Sequence, residues 1–173
     1  MGLRRAMITV LCALWAVPMS ASAQPEQARV PTLVIANVEV VDLAPRNQRY
    51  DQAEDAARAA MLSERIRSAV SASPAYRLLD RGPADREPPH RYHSCRACIV
   101  DWARERGADR VLVTWVQKVS RLIQNINMVV IDVSQPDRAR KLGSVSLRGD
   151  IDAVWLAGAR QLLDEVLTVK MSL

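Results

Sequence analysis

The sequence contains no phenylalanine, and its aromatic residues are limited to four tryptophans and three tyrosines. Proteins that bind nucleic acids combine aromatic side chains with basic charge gathered on one face. The formal net charge here is +5, but the arginines that carry most of it are scattered along the chain. The composition therefore favours an ordinary solvated basic surface, and we expect no nucleic-acid partner.

Long hydrophobic runs are also absent, apart from one near the N-terminus. Arg4 and Arg5 supply positive charge, residues 6–17 form an apolar segment, and residues 21–23 are a small-residue cleavage site. This apolar segment is too short to span a bilayer as a permanent helix. We therefore expect residues 1–23 to be a signal peptide that is cleaved before Gln24. The mature protein would be periplasmic or secreted, with no stable membrane span.

Cysteine is scarce, and Cys12 lies inside the predicted signal peptide. Cys95 and Cys98 are thus the only thiols of the predicted mature chain, which would enter an oxidising compartment. We expect residues 24–31 to be a flexible leader. Residues 32–173 contain no repeat or linker and have the length of a single globular α/β domain.

Hydrophobic periodicity predicts the element order β-α-β-α-β-β-β-α. Three helices are indicated by capping residues: Asp51 for the first, Ser94 for the second, and Asp150 or Asp152 for the third. Gly107 is placed to end the second helix. The strands are predicted at residues 32–43, 76–80, 110–120, 122–133 and 141–148.

The connections between these elements predict the topology of the sheet. Strands joined through helices favour right-handed crossovers and parallel pairing, whereas the last three strands are joined by short turns and favour an antiparallel meander. We therefore expect an α/β (α+β) fold with a five-stranded mixed sheet packed with three helices. Residues 141–148 alternate polar and apolar side chains and are predicted to form an edge strand, which could add a strand from a partner.

Three segments carry a resemblance to known proteins. They read Tyr-Arg-Leu-Leu-Asp at 76–80, Gly-Ala-Asp-Arg-Val-Leu-Val at 107–113 and Ser-Leu-Arg-Gly-Asp-Ile-Asp-Ala-Val-Trp at 146–155. With these segments the chain resembles a family of small secreted bacterial proteins of undetermined function. That family's domain is similar to the N-terminal domain of TolB and to the curli-secretion lipoprotein. The resemblance implies a role in the bacterial envelope but no catalytic residue.

One cluster of reactive residues stands at the start of the second helix: His90, His93, Cys95 and Cys98. The two cysteines are interpreted as a structural disulfide. Two alternatives stay open: a redox dithiol at a helix N-terminus, or a zinc or copper site formed with a histidine. We assign no catalytic residue, no cofactor and no metal to the chain.

The remaining conspicuous residues fit structural roles. Trp102, Trp115 and Trp155 lie in apolar patterns and are expected in the core. Asp150 and Asp152 are expected to cap a helix rather than to act as paired catalytic carboxylates. No Gly-x-Ser-x-Gly elbow or phosphate-binding glycine loop is present. The sequence therefore indicates a non-enzymatic binding or envelope-assembly module with a protein partner. The alternatives are a thiol–disulfide protein and a small metal-binding protein.

Overall fold

The computed structural model describes residues 29–43, 51–80, 91–120, 122–138 and 140–168. Within them, one mixed sheet packs with three helices, which confirms the predicted fold class. None of the described helices is both long and apolar enough to cross a membrane. The predicted signal peptide and residues 24–28 of the predicted leader lie outside the described residues. The strands are β1 Thr32–Ile35, β2 Glu39–Asp42, β3 Arg77–Leu78, β4 Arg110–Lys118, β5 Ile123–Asp132 and β6 Arg140–Arg148, and the helices are α1 Gln52–Ser71, α2 Arg96–Glu105 and α3 Asp152–Thr168.

The sheet has the mixed topology that the connections predicted. Its order is β3-β1-β4-β5-β6. β2 pairs with the same edge of β4 as β1 does, but nearer the C-terminal end of β4. β1 pairs in parallel with β3 and β4, while β4, β5 and β6 form an antiparallel meander. β4 is therefore the central strand, and β6 ends the sheet on one side of the described structure.

The strand predicted at residues 32–43 is interrupted, so the sheet has one strand more than expected. The Ala36 N–H still donates to the Leu112 carbonyl of β4 at 3.1 Å, but the backbone N–H of Val38 donates instead to Ser63 Oγ at 2.9 Å. The interruption also changes which side chains face which core. Val34 lies on the α2 side of the sheet, whereas Val38 and Val40 lie on the α1 and α3 side. An uninterrupted strand over residues 32–43 would have placed Val34, Val38 and Val40 on one apolar face, and the interruption separates them.

Two apolar clusters fill the two faces of the sheet. The larger lies under α1 and α3, and the smaller lies under α2 alone. The larger cluster includes Leu33, Ile35, Leu62, Ile66, Leu112, Val116, Ile126, Met128, Trp155 and Leu162. The smaller includes Val34, Ala36, Ile99, Val100, Trp102, Val111, Val113, Val129 and Ile131. A ten-residue helix is shorter than the strands beneath it, so α2 covers only part of its face.

Helix α1 begins where its cap predicted. The Asp51 carboxylate accepts from the backbone N–H groups of Ala53 and Glu54, which satisfies two otherwise unpaired donors. The buried face of α1 includes the charged residues Asp55 and Arg58, whereas Ala53 is exposed. Ion pairing to distant residues, described below, overrides the apolar pattern of this helix.

Helix α2 begins one residue later than predicted. Cys95, not Ser94, is the N-cap, and its Sγ accepts from the backbone N–H of Cys98 at 3.2 Å. The Ser94 hydroxyl instead donates to the Arg91 carbonyl at 3.0 Å. Gly107 follows the helix with a φ of 67°, the left-handed conformation that a helix end of this kind favours.

Candidate functional site

The α2 side of the sheet has a polar region beyond the end of the smaller apolar cluster. Strand register places Trp115 beside Asn127 and Asn127 beside Ser144, and this row marks the boundary. Beyond it, Gln117 and Asn125 are half-buried, and Ser146 is exposed. We call this region the uncovered face: Val41, Gln117, Ile123, Asn125, Ser144, Ser146 and Arg148.

An aromatic group borders the uncovered face. The Tyr92 ring stacks on Trp115 with centroids 5.6 Å apart, and the His93 ring meets Trp115 edge-on at 4.9 Å. Glu39 of β2 holds this turn in place. Its carboxylate accepts from the backbone N–H of Tyr92 at 2.6 Å and lies 3.2 Å from Nδ1 of His93. The turn before α2 is therefore fixed to the sheet by both stacking and hydrogen bonding.

Cys95 and Cys98 lie immediately after this aromatic turn. Their sulfur atoms are 1.99 Å apart, so the structure places them in a disulfide across the first turn of α2. Both side chains are half-buried, next to the fully buried Ile99. Whether the bond has a structural or a redox role is still a prediction.

The suggested metal site receives no additional ligands in the described part of the chain. There, no group of three or more histidine, cysteine, aspartate or glutamate side chains is arranged to hold a metal ion. His93 contacts Glu39 and Trp115, and His90 lies outside the described residues. The metal alternative therefore gains no geometric support from His93.

The edge of β6 carries outward-facing backbone groups at alternate residues. The N–H of Gly149 donates to the Leu122 carbonyl at 3.0 Å, so these two residues form a hydrogen-bonded pair. Hydrogen-bonded and non-hydrogen-bonded pairs alternate in an antiparallel ladder. The N–H and C=O groups of Ser144, Ser146 and Arg148 consequently point away from β5, at the free side of the described sheet.

Three exposed arginines lie at separate places on this side of the sheet. The side chain of Arg91 donates to the Val40 carbonyl at 3.3 Å, and Arg96 donates to the carbonyl of Pro136. Both residues are exposed at the N-terminal end of α2, while Arg148 is exposed at the end of β6. Glu39, on the same face, adds a carboxylate beside Tyr92 and His93.

A second polar cluster lies on the opposite side of the sheet. The Lys118 ammonium is fully buried and lies 2.6 Å from Asp55 Oδ1 and 2.8 Å from Asp150 Oδ2. Arg58 lies 3.0 Å from Asp150 and 3.1 Å from Asp152, and it also pairs with Glu54. We call these residues the ion network. It joins α1, the end of β4 and the start of α3.

The ion network corrects the capping role expected for Asp150 and Asp152. Both carboxylates bind cationic side chains, and the carbonyl of Ile151 accepts the first backbone hydrogen bonds of α3 from Val154 and Trp155. Sequence reasoning missed the network because its members are far apart in the chain. Lys118 ends a strand that the sequence predicted on structural grounds alone, so little in the sequence indicated an ionic role for this residue.

Burial and charge have opposing effects on the acidity of the network. Burial by itself would raise the pKa of Asp150, but the hydrogen bond from Lys118, the neighbouring Gln124 amide and the charges of Lys118 and Arg58 lower that pKa overall. Burial would likewise lower the pKa of Lys118, but hydrogen bonds to Asp150 and Asp55 raise it above its ordinary value. Lys118 and Asp150 are therefore held in their charged forms near neutral pH.

The three tryptophans expected in the core have different environments. Trp102 and Trp155 are buried, as predicted. Trp115 is only partly buried, under Tyr92 and His93 at the border of the uncovered face. The polar residues Asn125 and Asn127 alternate along β5 and could have indicated this face from the sequence. Nothing comparable in the sequence indicated the contacts of Glu39 and Tyr92.

Residues 31–167 match the family described as "Protein of unknown function (DUF2380)". The chain belongs to that family. This confirms the resemblance to small bacterial proteins of undetermined function that the sequence indicated. No curated protein matches the chain.

Several solved structures are similar to the chain at low sequence identity. PelC from Paraburkholderia phytofirmans is 16% identical, with 84% of this chain and 94% of that chain covered, at a TM-score of 0.48. The LpoB C-terminal domain from Escherichia coli is 16% identical, with 68% and 80% covered, at a TM-score of 0.46. TolB from Acinetobacter baumannii is 9% identical, with 80% and 27% covered, at a TM-score of 0.47.

Proposed function

We propose that the protein is an exported, non-catalytic binding module that acts as an accessory in assembly of the bacterial envelope. In this proposal it holds a protein partner at the edge of β6. The observation that carries the proposal is the regular segment Gly143–Arg148 at the free side of the described sheet. Strand addition to an edge of this kind is a common way for one protein to bind another.

The features of β6 favour partner binding over edge protection in its second half. Protected edges use bulges, proline or charged residues to prevent pairing. The register shift between Met128 and Val129 lies opposite the first half of β6. Its second half is regular, lacks proline and places the small residues Ser144 and Ser146 on the uncovered face.

The polar clusters support binding rather than catalysis. The carboxylates of Asp150 and Asp152, which could suggest hydrolysis by a carboxylate pair, are bound by Arg58 and Lys118. Their positions fit a structural connection between helices and strand. We therefore assign the ion network to stability, and binding to the β6 side of the sheet.

Site-specific photo-crosslinking in cells tests this proposal. A photoreactive amino acid placed at Ser146 should form an adduct with a partner protein, recovered from the periplasmic or envelope fraction. The same amino acid at Ser68, which is exposed on α1, is the matched control and should give no such adduct. Recovery of no adduct at Ser146, or of the same adducts at both positions, would contradict binding at β6.

A further inference from the structure

We propose that the segment added to β6 is an extended peptide with an acidic side chain placed to pair with Arg148. This inference rests on the proposed function, and it specifies the chemistry of the partner. It combines two properties of the same surface: outward-facing backbone groups on Gly143–Arg148 and the exposed Arg148 at the end of that segment.

The backbone of β6 sets the conformation of the partner. Ser144, Ser146 and Arg148 each present one N–H and one C=O away from β5, as the Leu122–Gly149 hydrogen-bonded pair requires. At about 3.4 Å per residue these groups extend over roughly 14 Å, from the first to the last of the three residues. A peptide of five or so residues in an extended conformation matches their spacing.

The charge near β6 sets the composition of the partner. Arg148 is the one charged residue of the regular segment Gly143–Arg148. Arg148 is exposed at the end of the strand, on the uncovered face. The acidic residue that follows, Asp150, already binds Lys118 and Arg58. Glu165 of α3 places a carboxylate beside Gly143, so the positive charge open to an added strand is that of Arg148.

The side chains of β6 leave room for such a partner. Ser144 and Ser146 are short, and the Ser146 hydroxyl donates to Asn125 Oδ1 at 2.7 Å, which holds it against the sheet. Gly143 and Leu147 face the opposite side, where α3 packs against the strand. The exposed side of the strand thus presents its backbone with little obstruction next to Arg148.

Two other occupants fit this surface less well. A second copy that paired through the same segment would bring no acidic side chain to Arg148, because Gly143–Arg148 contains none. An acidic polysaccharide would meet the arginines but has no amide backbone with the repeat of a β-strand, so it would leave the outward N–H and C=O groups unmatched. An acidic peptide satisfies both the hydrogen bonds and the charge.

Fluorescence anisotropy with three labelled peptides tests the proposal on the full-length protein. Each peptide has about seven residues and alternates valine with glutamate, glutamine or lysine. We expect the glutamate peptide to bind about tenfold more tightly than the glutamine peptide, the equivalent of one favourable charge contact. The lysine peptide should not bind. Binding of the glutamate peptide should weaken as salt is added.

Two variants separate the contributions of backbone and charge. Ser146→Pro removes an outward N–H without removing a backbone hydrogen bond to β5, and it should weaken glutamate-peptide binding about threefold or more. Both Ser146→Pro and Ser146→Ala lose the hydroxyl that donates to Asn125, so their difference reports the N–H. Ser146→Ala keeps the N–H and should bind like the wild type to within about twofold, because only its side chain is changed.

Arg148→Glu should weaken binding about tenfold or more. Arg65→Glu makes the same charge change on an exposed part of α1 and should have no effect. Circular dichroism establishes that each variant is folded.

The outcomes distinguish this inference from the proposed function. Equal binding of the glutamate and glutamine peptides, with both weakened by Ser146→Pro, would overturn the acidic chemistry and leave strand addition intact. Peptide binding that Ser146→Pro leaves unchanged would overturn strand addition. Tight binding of polygalacturonate that displaces the glutamate peptide and is weakened by Arg148→Glu would overturn the choice of a peptide. A photo-adduct at Ser146 together with no binding of any peptide would retain the proposed function and overturn this inference.

Discussion

The buried ammonium group of Lys118 lies 2.8 Å from the carboxylate of Asp150 and connects the end of β4 to the segment that leads into α3. Because Lys118 also binds Asp55 of α1, one buried cation connects three parts of the chain. Removal of this cation would leave Asp55 without a nearby ammonium in a buried position. The pairing therefore predicts a large effect of a single substitution.

Lys118→Met should lower the free energy of unfolding by about 3 kcal/mol, because it removes the cation 2.6 Å from the buried Asp55 carboxylate and leaves it the Arg58 guanidinium at 3.8 Å. Asp150 is partly exposed, so we expect a loss near the lower end of the range for buried pairs. Urea unfolding followed by circular dichroism measures the change. Arg65→Met, an exposed basic residue of α1, is the control and should change stability by less than about 0.5 kcal/mol. An equally small loss for Lys118→Met would contradict the structural role of the ion network.

The stability of the protein should decrease in acid because of Asp150. Its pKa in the folded protein is below the ordinary value of 3.8. Its contribution is therefore present above pH 3.8 and is lost as the pH falls through the lower folded value. We expect the urea midpoint to fall more gradually with acid in Asp150→Asn than in the wild type. Identical acid profiles would contradict this assignment.

Alkaline conditions should affect the ion network through Lys118. Its pKa in the folded protein is above the ordinary value of 10.5. Its contribution is complete below pH 10.5 and is lost as the pH rises through the higher folded value. Urea midpoints measured between pH 8 and pH 11 should therefore decrease only at the most alkaline end of that range. A decline attributable to Lys118 near pH 8, absent in Lys118→Met, would contradict the raised pKa.

The interruption between β1 and β2 depends on Ser63. Its hydroxyl accepts from Val38 N–H at 2.9 Å and donates to the Ala59 carbonyl at 2.7 Å. Ser63→Ala should cost about 1–3 kcal/mol, because it leaves the buried Val38 N–H without a partner. Ser71→Ala, at the exposed end of the same helix, is the matched control. Equal and small losses for both variants would show that the Val38 contact contributes little.

Loss of the Cys95–Cys98 disulfide should have a modest effect. The two cysteines are separated by only three positions, and such a short loop gives at most about 2 kcal/mol of entropic stabilisation. Unfolding of Cys95→Ser/Cys98→Ser measures this loss. The reduction potential of the wild-type pair tests the redox alternative. A value below about −300 mV fits a structural bond, and a more oxidising value would favour a thiol–disulfide enzyme.

Export predicts a defined N-terminus. If residues 1–23 are a cleaved signal, the intact mass of the protein recovered from the periplasm should correspond to a chain that begins at Gln24, with or without cyclisation of the glutamine. A substitution of Ala23 by arginine should block this cleavage. Recovery of the uncleaved wild-type chain from membranes would contradict the predicted processing.

Local sequence was enough to predict the order of elements and several of their ends. Asp51 and Gly107 act within a few residues of their own position, so their capping roles could be inferred without knowledge of the fold. The apolar composition of residues 110–120 likewise indicated the central strand β4. These predictions required only local hydrogen bonding and hydrophobic periodicity.

The features that sequence reasoning missed depend on contacts between distant residues. Asp55 and Arg58 are buried on α1 because Lys118 and Asp150 bind them from elsewhere in the chain. The break after Ile35 was hidden because the residues on both sides are apolar, although they face different cores. The candidate site was only partly visible, since alternating polar residues indicated the edge strand but not the extent of sheet that α2 leaves uncovered.

The central position of β4 has a consequence for the order in which the protein can fold. β1 and β2 precede β4 by more than sixty residues, whereas β5 and β6 follow it directly along the chain. A chain that emerges with its N-terminus first presents the apolar β1 long before the strand that covers its edge has appeared. The antiparallel meander can form early from local contacts, but the N-terminal strands must wait for it. Folding of the whole sheet is therefore expected only after nearly all of the chain has been delivered to its compartment.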